Sequence, residues 1–309
     1  MPHVASAAGT AARPRHAIAV LLAAVLWGTT GTVAHFAPEG SSPLAIGLAT
    51  FGVGGVVLAA LSARRVLAVL RRRDQLGWVL AGAVGVVLYP ACYYPSMALA
   101  GVAVGNVVAL GSGPIFAALL EWAVERRRPG RRWSIATAVA VVGIALLAAG
   151  GHGGAAEDPG AAPLGVLLAL VAGFGYALYS FAGARLIRGG STASGSMGAL
   201  FLVGGVACLV GLATVGLGPL ASPAGALTIA YLGLVPMALS YVLFGYALRA
   251  LASTTATTIA LAEPVVATLL AVAIVGERPN AVGWLGLVVV AVGIGLLAIR
   301  RRARPAPAA

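Results

Sequence analysis

Long apolar runs, broken at short intervals by arginine clusters, glycine or proline, dominate the pattern of this chain. A helix needs about 20 apolar residues to cross a hydrocarbon core of about 30 Å. Cutting at the polar breaks leaves ten segments near that length: 16–36, 43–62, 76–97, 103–124, 133–150, 163–186, 195–215, 223–248, 253–275 and 281–299. Lipid admits only helices or closed barrels, because every backbone polar group must be bonded within the protein. Continuous apolar runs, without period-two alternation, select helices. The pattern therefore predicts an all-α polytopic membrane protein. The connections are short except for GGHGGAAEDPGAA at 150–162, read as an external linker over 151–162.

The arginines orient these spans. Short loops rich in basic residues stay in the cytoplasm. With the N-terminus inside, every arginine except Arg278 falls on an inside segment, out of 20 basic residues in all. Residues 1–15 and 301–309 become cytoplasmic tails of a multi-pass protein in a bacterial-type cytoplasmic membrane. Composition agrees, since only 9% of residues are charged against about 25% in soluble domains. The net charge of +12 resides in those loop clusters, without the motif context of a nucleic-acid module. Cys92 and Cys208 lie in apolar runs and read as core residues. The scattered histidines have no metal-ligand spacing, so no metal or cofactor is expected.

The two halves overlay at a shift of 150 residues. GSGPIFAALLEWAVERRRPGRRWSIATAVAVVGIALLA begins at Gly111, and ALAEPVVATLLAVAIVGERPNAVGWLGLVVVAVGIGLLA begins at Ala260. Pro114 then falls on Pro264, Pro129 on Pro279 and Gly143 on Gly293. Five spans per copy is an odd number, so the second copy enters the membrane upside down. The charge bias agrees: ERRRPGRR is predicted inside and its partner GERPN outside. The expected architecture is a five-helix repeat over 16–150 and an inverted one over 163–300. Inverted repeats underlie alternating access, with substrate bound near the midplane between them.

With Trp27-Gly28 in the first span, the tail of each repeat, and Glu263-Pro264, Gly276-Glu277-Arg278 and Gly286…Gly293 in the second, the chain resembles the EamA-type transporters of the drug/metabolite transporter superfamily. The resemblance covers about residues 18–300. It implies a ten-helix carrier moving small metabolites, amino acids or drugs, without saying which. The first copy departs from the pattern, with Gly113 where the second has Glu263 and a longer basic loop for the GER turn.

Glu263 is the acid placed deepest in the membrane, where a carboxylate costs roughly 2.5–3.5 kcal/mol on insertion scales. Two roles suit it: binding a substrate ammonium or exchanging a proton, or, when protonated, bonding neighbouring helices at a kink. Pro114 and Pro264 each remove a backbone donor and free a carbonyl one turn earlier, which marks candidate helix breaks. Tyr89 and Tyr93, with Ser96, share one helix face, as do Tyr176 and Ser180; each set would line a wet cavity or belt the interface. Tyr241, Trp27, Thr30 and Asn106 are further cavity candidates. Glu121 is placed near the cytoplasmic end of the fourth span, and Ser253 is read as the N-cap of the ninth.

Secondary transport of a small organic solute is the leading expectation, with proton coupling left open at Glu263. No Walker loop is present and the chain has no lysine, which excludes built-in ATP hydrolysis. An enzyme would call for clustered acids, histidines or metal ligands. A passive channel or a lipid-moving protein would call for polar rings or a continuous bore. The expected partners are a small-molecule substrate and the bilayer, no nucleic acid, with monomer and homodimer both open.

Overall fold

The structure, a computed structural model, describes residues 8–150, 161–276 and 278–298. Most of the predicted linker and of both tails, together with Glu277, Arg300, Arg301, Arg302 and Arg304, lies outside the described residues. The first half contains α1 (Ala8–His35), α2 (Pro43–Ala60), α3 (Ala63–Leu70), α4 (Leu76–Ala100), α5 (Val102–Glu125) and α6 (Arg131–Gly150). The second contains α7 (Ala162–Arg188), α8 (Ala193–Val215), α9 (Pro223–Leu232), α10 (Ser240–Ala247), α11 (Ser253–Ala260), α12 (Glu263–Leu270) and α13 (Ala281–Ala298). No strand occurs among the described residues. The protein is an all-α polytopic membrane protein built from two five-span repeats.

Local sequence accounts for the helix starts. Ser42 and Thr192, 150 residues apart, each accept the backbone N–H three residues on and cap α2 and α8. Proline follows Ser42 at the first helical position, where no donor is needed. The short helix α3, absent from the expected spans, turns Val66 and Val69 inward and its arginines outward. The helix α1 starts at Ala8, inside the predicted tail.

The two prolines expected to break their helices behave differently. The ninth span is interrupted: α11 ends at Ala260, a turn covers Leu261 and Ala262, and α12 begins at Glu263 with Pro264 in its first turn. There Pro264 leaves no hydrogen bond unmade. Pro114 does not break its helix, because it lies inside a continuous α5. Its neighbour Gly113 carries no side chain to crowd the ring, and the helix absorbs the lost donor. The eighth span is also modified, with a π-helical stretch at Gly233–Leu239 around Pro236 joining α9 to α10.

Except for the loop that carries Arg278, the described arginine-bearing loops gather on one side, the basic face. Cross-repeat bonds tie it together: Arg72 and Gln75 each donate to the Gly189 carbonyl at 3.0 Å, Ser62 donates to the Ser194 carbonyl at 3.1 Å, and Glu125 pairs with Arg185 and Arg188. On this face Arg72 also bonds Asp74 and holds its carboxyl below the usual carboxylate range. The opposite face carries residues 36–42, Gly101, the ends of α6 and α8, and 276–280. The first span thus runs from the basic face to the opposite face, and α7 runs back. The repeats are inverted.

The pseudo-twofold axis is visible in two helix seams. A Cβ on Gly143 would lie 2.5 Å from the Val290 nitrogen and 2.9 Å from the Gly286 oxygen. One on Gly293 would lie 2.6 Å from the Ala140 nitrogen and 2.9 Å from the Ala136 oxygen. Adding or subtracting 150 converts one set of contacts into the other. The α2–α8 seam repeats this logic with FGVGGV at 51–56 and FLVGGV at 201–206, a match the overlay above passes over. A Cβ on Gly55 would reach the Phe201 oxygen at 2.3 Å, and one on Gly205 the Phe51 oxygen at 3.0 Å. Small residues let membrane helices approach backbone to backbone, where dispersion replaces the missing hydrophobic drive.

Gly293→Ala is predicted to destabilise the protein by about 1–3 kcal/mol through overpacking. Gly295→Ala, where a Cβ meets nothing within 4 Å, is predicted to be neutral or to stabilise by up to about 1 kcal/mol through helix propensity. Thermal unfolding of the two purified variants in detergent reads the difference.

Candidate functional site

The interrupted span and the helices facing it enclose a cavity of about 690 Å³. Its walls come from both repeats: α1, α2, α4, α5 and α6 from the first, and α7, the Pro236 segment, α10 and α12 from the second. Most wall residues lie between mid-span and the face opposite the arginines, and Tyr179 and Tyr241 lie past mid-span toward the basic face. The cavity opens among Ala37, Pro38, Gly40 and Ser41, and it ends at Tyr179 and Tyr241. These two phenols share a hydrogen bond of 2.5 Å, and Phe201 and Phe244, fully buried, pack beneath them.

Glu263 enters this cavity from the first position of α12. It is half-buried and has no hydrogen bond or ion pair to any described residue. No arginine lines the cavity, and the one basic side chain, His35, stands at its mouth. Around the acid are aromatic rings. Tyr89 and Tyr93 stack at 5.1 Å, Tyr176 lies 6.0 Å from Tyr89, and Trp27 lies 5.2 Å from Tyr241. Tyr93 donates to Asn106 Oδ1 at 2.7 Å, which fixes its ring. The Tyr176 hydroxyl has no hydrogen-bond partner among the described residues although it is buried.

Trp27, Thr30, Tyr89, Tyr93, Asn106, Tyr176, Tyr241, Glu263 and Pro264 are thus brought to one cavity. Ser180 is not part of it; it is fully buried and bonds the Tyr176 carbonyl within its own helix. Pro114 is also outside the lining. Sequence reasoning misses Phe51, Tyr94 and Tyr179, although Tyr179 lies one turn after Tyr176 and could have been found by that spacing. Gly31, also missed, faces open space.

The departure of the first repeat at Gly113 has a steric cause. A Cβ there would lie 2.8 Å from the Tyr176 ring. Where the second repeat presents a carboxylate, the first makes room for a phenol of its partner. Gly28, by similar logic, lets α1 lie against Val266 of α12, 2.7 Å from where its own Cβ would be.

Glu121 has a larger role than its place near a helix end suggests. It is buried and accepts from Ser253 Oγ at 2.6 Å, from the Thr254 backbone N–H at 3.1 Å and from Thr254 Oγ1 at 3.3 Å. The reading of Ser253 as an N-cap is therefore corrected: Ala252 holds that position without a side-chain bond. A carboxylate from the other repeat supplies the negative charge that the α11 N-terminus favours. Trp133 reinforces this junction, its indole N–H donating to the Thr254 carbonyl and to Thr258 Oγ1.

Inverted five-span repeats enclosing a polar-centred cavity define the class as a membrane transport fold. The chain belongs to the EamA-like transporter family, whose pattern matches twice, over residues 15–149 and 163–299. It is 33% identical over 296 residues to an uncharacterized transporter, YwfM, of Bacillus subtilis (strain 168), spanning 95% of this chain and 97% of that one. It also shares the fold of a protein of known crystal structure, with a TM-score of 0.77 and 21% identity over 92% of this chain and 96% of the other. The protein is a membrane transporter of the drug/metabolite transporter superfamily, and these relationships point away from an enzyme.

Gly31→Leu is predicted to fold normally, because its Cβ meets nothing, yet to obstruct the cavity. Transport should fall at least about tenfold, the effect of losing about 1.4 kcal/mol of binding, while the unfolding temperature stays within a few degrees. A radiolabelled-uptake assay on vesicles, with a thermal scan of the same preparation, separates the two.

Proposed function

We propose that this protein is a secondary transporter working by alternating access in the cytoplasmic membrane, and that its solute is a small organic molecule carrying a positive charge. The observation that carries this reading is a half-channel with a single carboxylate, walled by both repeats and shut toward the basic face. A bilayer-depth cavity of this size suits a drug- or metabolite-sized ligand. Its lone acid and surrounding rings suit a cation, which aromatic faces attract. An amino acid or other zwitterion would require a cationic partner for its carboxylate, and the walls offer only His35, at the mouth.

The state described is the one open away from the arginines. By the basic-loop bias the basic face is cytoplasmic and this opening is external. The barrier consists of the Tyr179–Tyr241 bond, the Glu121 cap on α11 and the Glu125 pairs with Arg185 and Arg188. Because the repeats are inverted copies, exchanging their conformations opens the basic face and closes the other. The lining ends at the buried Tyr179 and Tyr241, which supports a carrier over the continuous bore of a passive channel. Proton coupling enters as exchange: Glu263 releases its proton when the cation binds and takes one when it leaves.

Two measurements test this. Glu263→Gln keeps the shape and removes the charge; cation transport is predicted to fall at least about tenfold, and substrate-driven proton movement in vesicles should disappear. Retained proton movement would discard the exchange step, and retained cation transport would discard the substrate charge. Glu121→Gln weakens the cap and should shift the population toward the state open on the basic face. Cysteines introduced beneath Tyr241 would then react with an impermeant thiol reagent from that side several-fold faster; unchanged labelling would remove Glu121 from the barrier.

A further inference from the structure

A second hollow of about 630 Å³ lies on the other side of α5, away from the cavity. One wall is the α5 stripe Ile115, Leu119 and Trp122; the other is the α6 stripe Trp133, Thr137 and Val141. Ile115, Leu119 and Trp122 are roughly half exposed, so the groove faces outward from the bundle. The polar side chains of its α6 wall are already engaged. Thr137 bonds Thr258 at 3.1 Å, and Ser134 bonds the Gly130 carbonyl. Trp133 is held by α11, which makes that wall rigid. What remains is hydrocarbon and the Trp122 indole N–H.

The basic end of this groove is floored by Pro129 and framed by Arg126, Arg127, Arg128, Arg131 and Arg132, all exposed. Arg132 donates to the Leu296 carbonyl, and Arg127 lies 3.9 Å from Glu125. Arg126, Arg128 and Arg131 have neither an ion pair nor a side-chain hydrogen bond to any described residue. Arg126 also stands in the left-handed region, at φ 55°, where glycine or asparagine would sit without strain. A charged side chain is kept there against backbone preference.

We propose that this groove is a binding site for an anionic phospholipid of the arginine-side leaflet. One acyl chain lies between α5 and α6, and the headgroup phosphate is held by Arg126, Arg128 and Arg131. Length fits: residues 115–122 of α5 and 133–142 of α6 cover about 10–14 Å at 1.5 Å per residue, close to one leaflet of a core about 30 Å thick. Charge fits as well, since arginine forks bind phosphate oxygens in pairs and basic clusters at the cytoplasmic interface attract anionic headgroups. A second copy of the chain fits less well, because a twofold contact here would set this arginine cluster against itself. The site is separate from the transport cavity and does not depend on the reading of that cavity.

The test uses the whole protein in vesicles of phosphatidylcholine doped with brominated-chain lipid, which quenches tryptophan on contact. Trp122 and Trp133 line the groove and report its occupant. Brominated phosphatidylglycerol is expected to quench at about fivefold lower mole fraction than brominated phosphatidylcholine, the order of one arginine–lipid attraction near a membrane surface. The preference should vanish in the variant Arg126→Gln/Arg128→Gln/Arg131→Gln and shrink in Trp122→Phe. It should survive Arg64→Gln/Arg71→Gln/Arg73→Gln, which removes as much charge from the α3 region of the same face. Equal quenching by the two lipids, or a preference that survives the first triple variant or is lost in the second, overturns the site. So does a dimeric mass in nanodiscs with Trp122 shielded from both lipids.

Discussion

Within a bilayer, pressing two apolar helices together gains little from the hydrophobic effect, because lipid is as apolar as leucine. What holds this protein together instead is backbone-to-backbone contact along two glycine seams, α2 with α8 and α6 with α13. At each seam a residue of one repeat touches the counterpart of its own neighbour in the other. Gly143 meets Val290 as Gly293 meets Ala140, and Gly55 meets Phe201 as Gly205 meets Phe51. Contacts that close on themselves in this way fix the axis about which the repeats are related. The remaining helices are then arranged around a space that neither seam fills.

That space is chemically one-sided even though the scaffold is symmetric. Glu263 has as its counterpart Gly113, and the volume a side chain would need there is taken by the Tyr176 ring. The interrupted ninth span places the acid at a helix start within a cavity, so the carboxylate faces open volume and not lipid. Its counterpart, α5, runs through Pro114 without a break. The frame is twofold, but the cavity carries its carboxylate on one repeat alone.

Electrostatics does a different task on each side of the membrane plane. The arginine loops that bias orientation also frame a contact zone with Glu121 and Glu125 inside it, so opposite charges meet where the cavity is shut. The cap from Glu121 links the end of α5 to the start of α11, and α11 leads directly to the turn before Glu263. In the proposed cycle, opening the basic face separates these groups, and the Glu121 contact lies on the helix that leads to the acid. Around Pro129, Arg126, Arg128 and Arg131 are exposed and have no ion pair or side-chain hydrogen bond to any described residue.

Much of this was legible in sequence because membrane constraints are written in composition. Span length, helix class, the repeat, its inversion and the polar candidates for a midplane cavity follow from apolar run lengths, arginine placement and the 150-residue overlay. These depend on the transfer of each residue between water and lipid, a property read one position at a time. Tertiary structure decided the rest. That Pro264 interrupts a helix and Pro114 does not, that Tyr179 closes the cavity while Ser180 turns away, and that Glu121 caps a helix of the other repeat all depend on which backbone lies within a few ångströms. Such neighbours come from helices more than a hundred residues apart in several cases, and the period of a single helix shows only which residues share a face, not what that face meets.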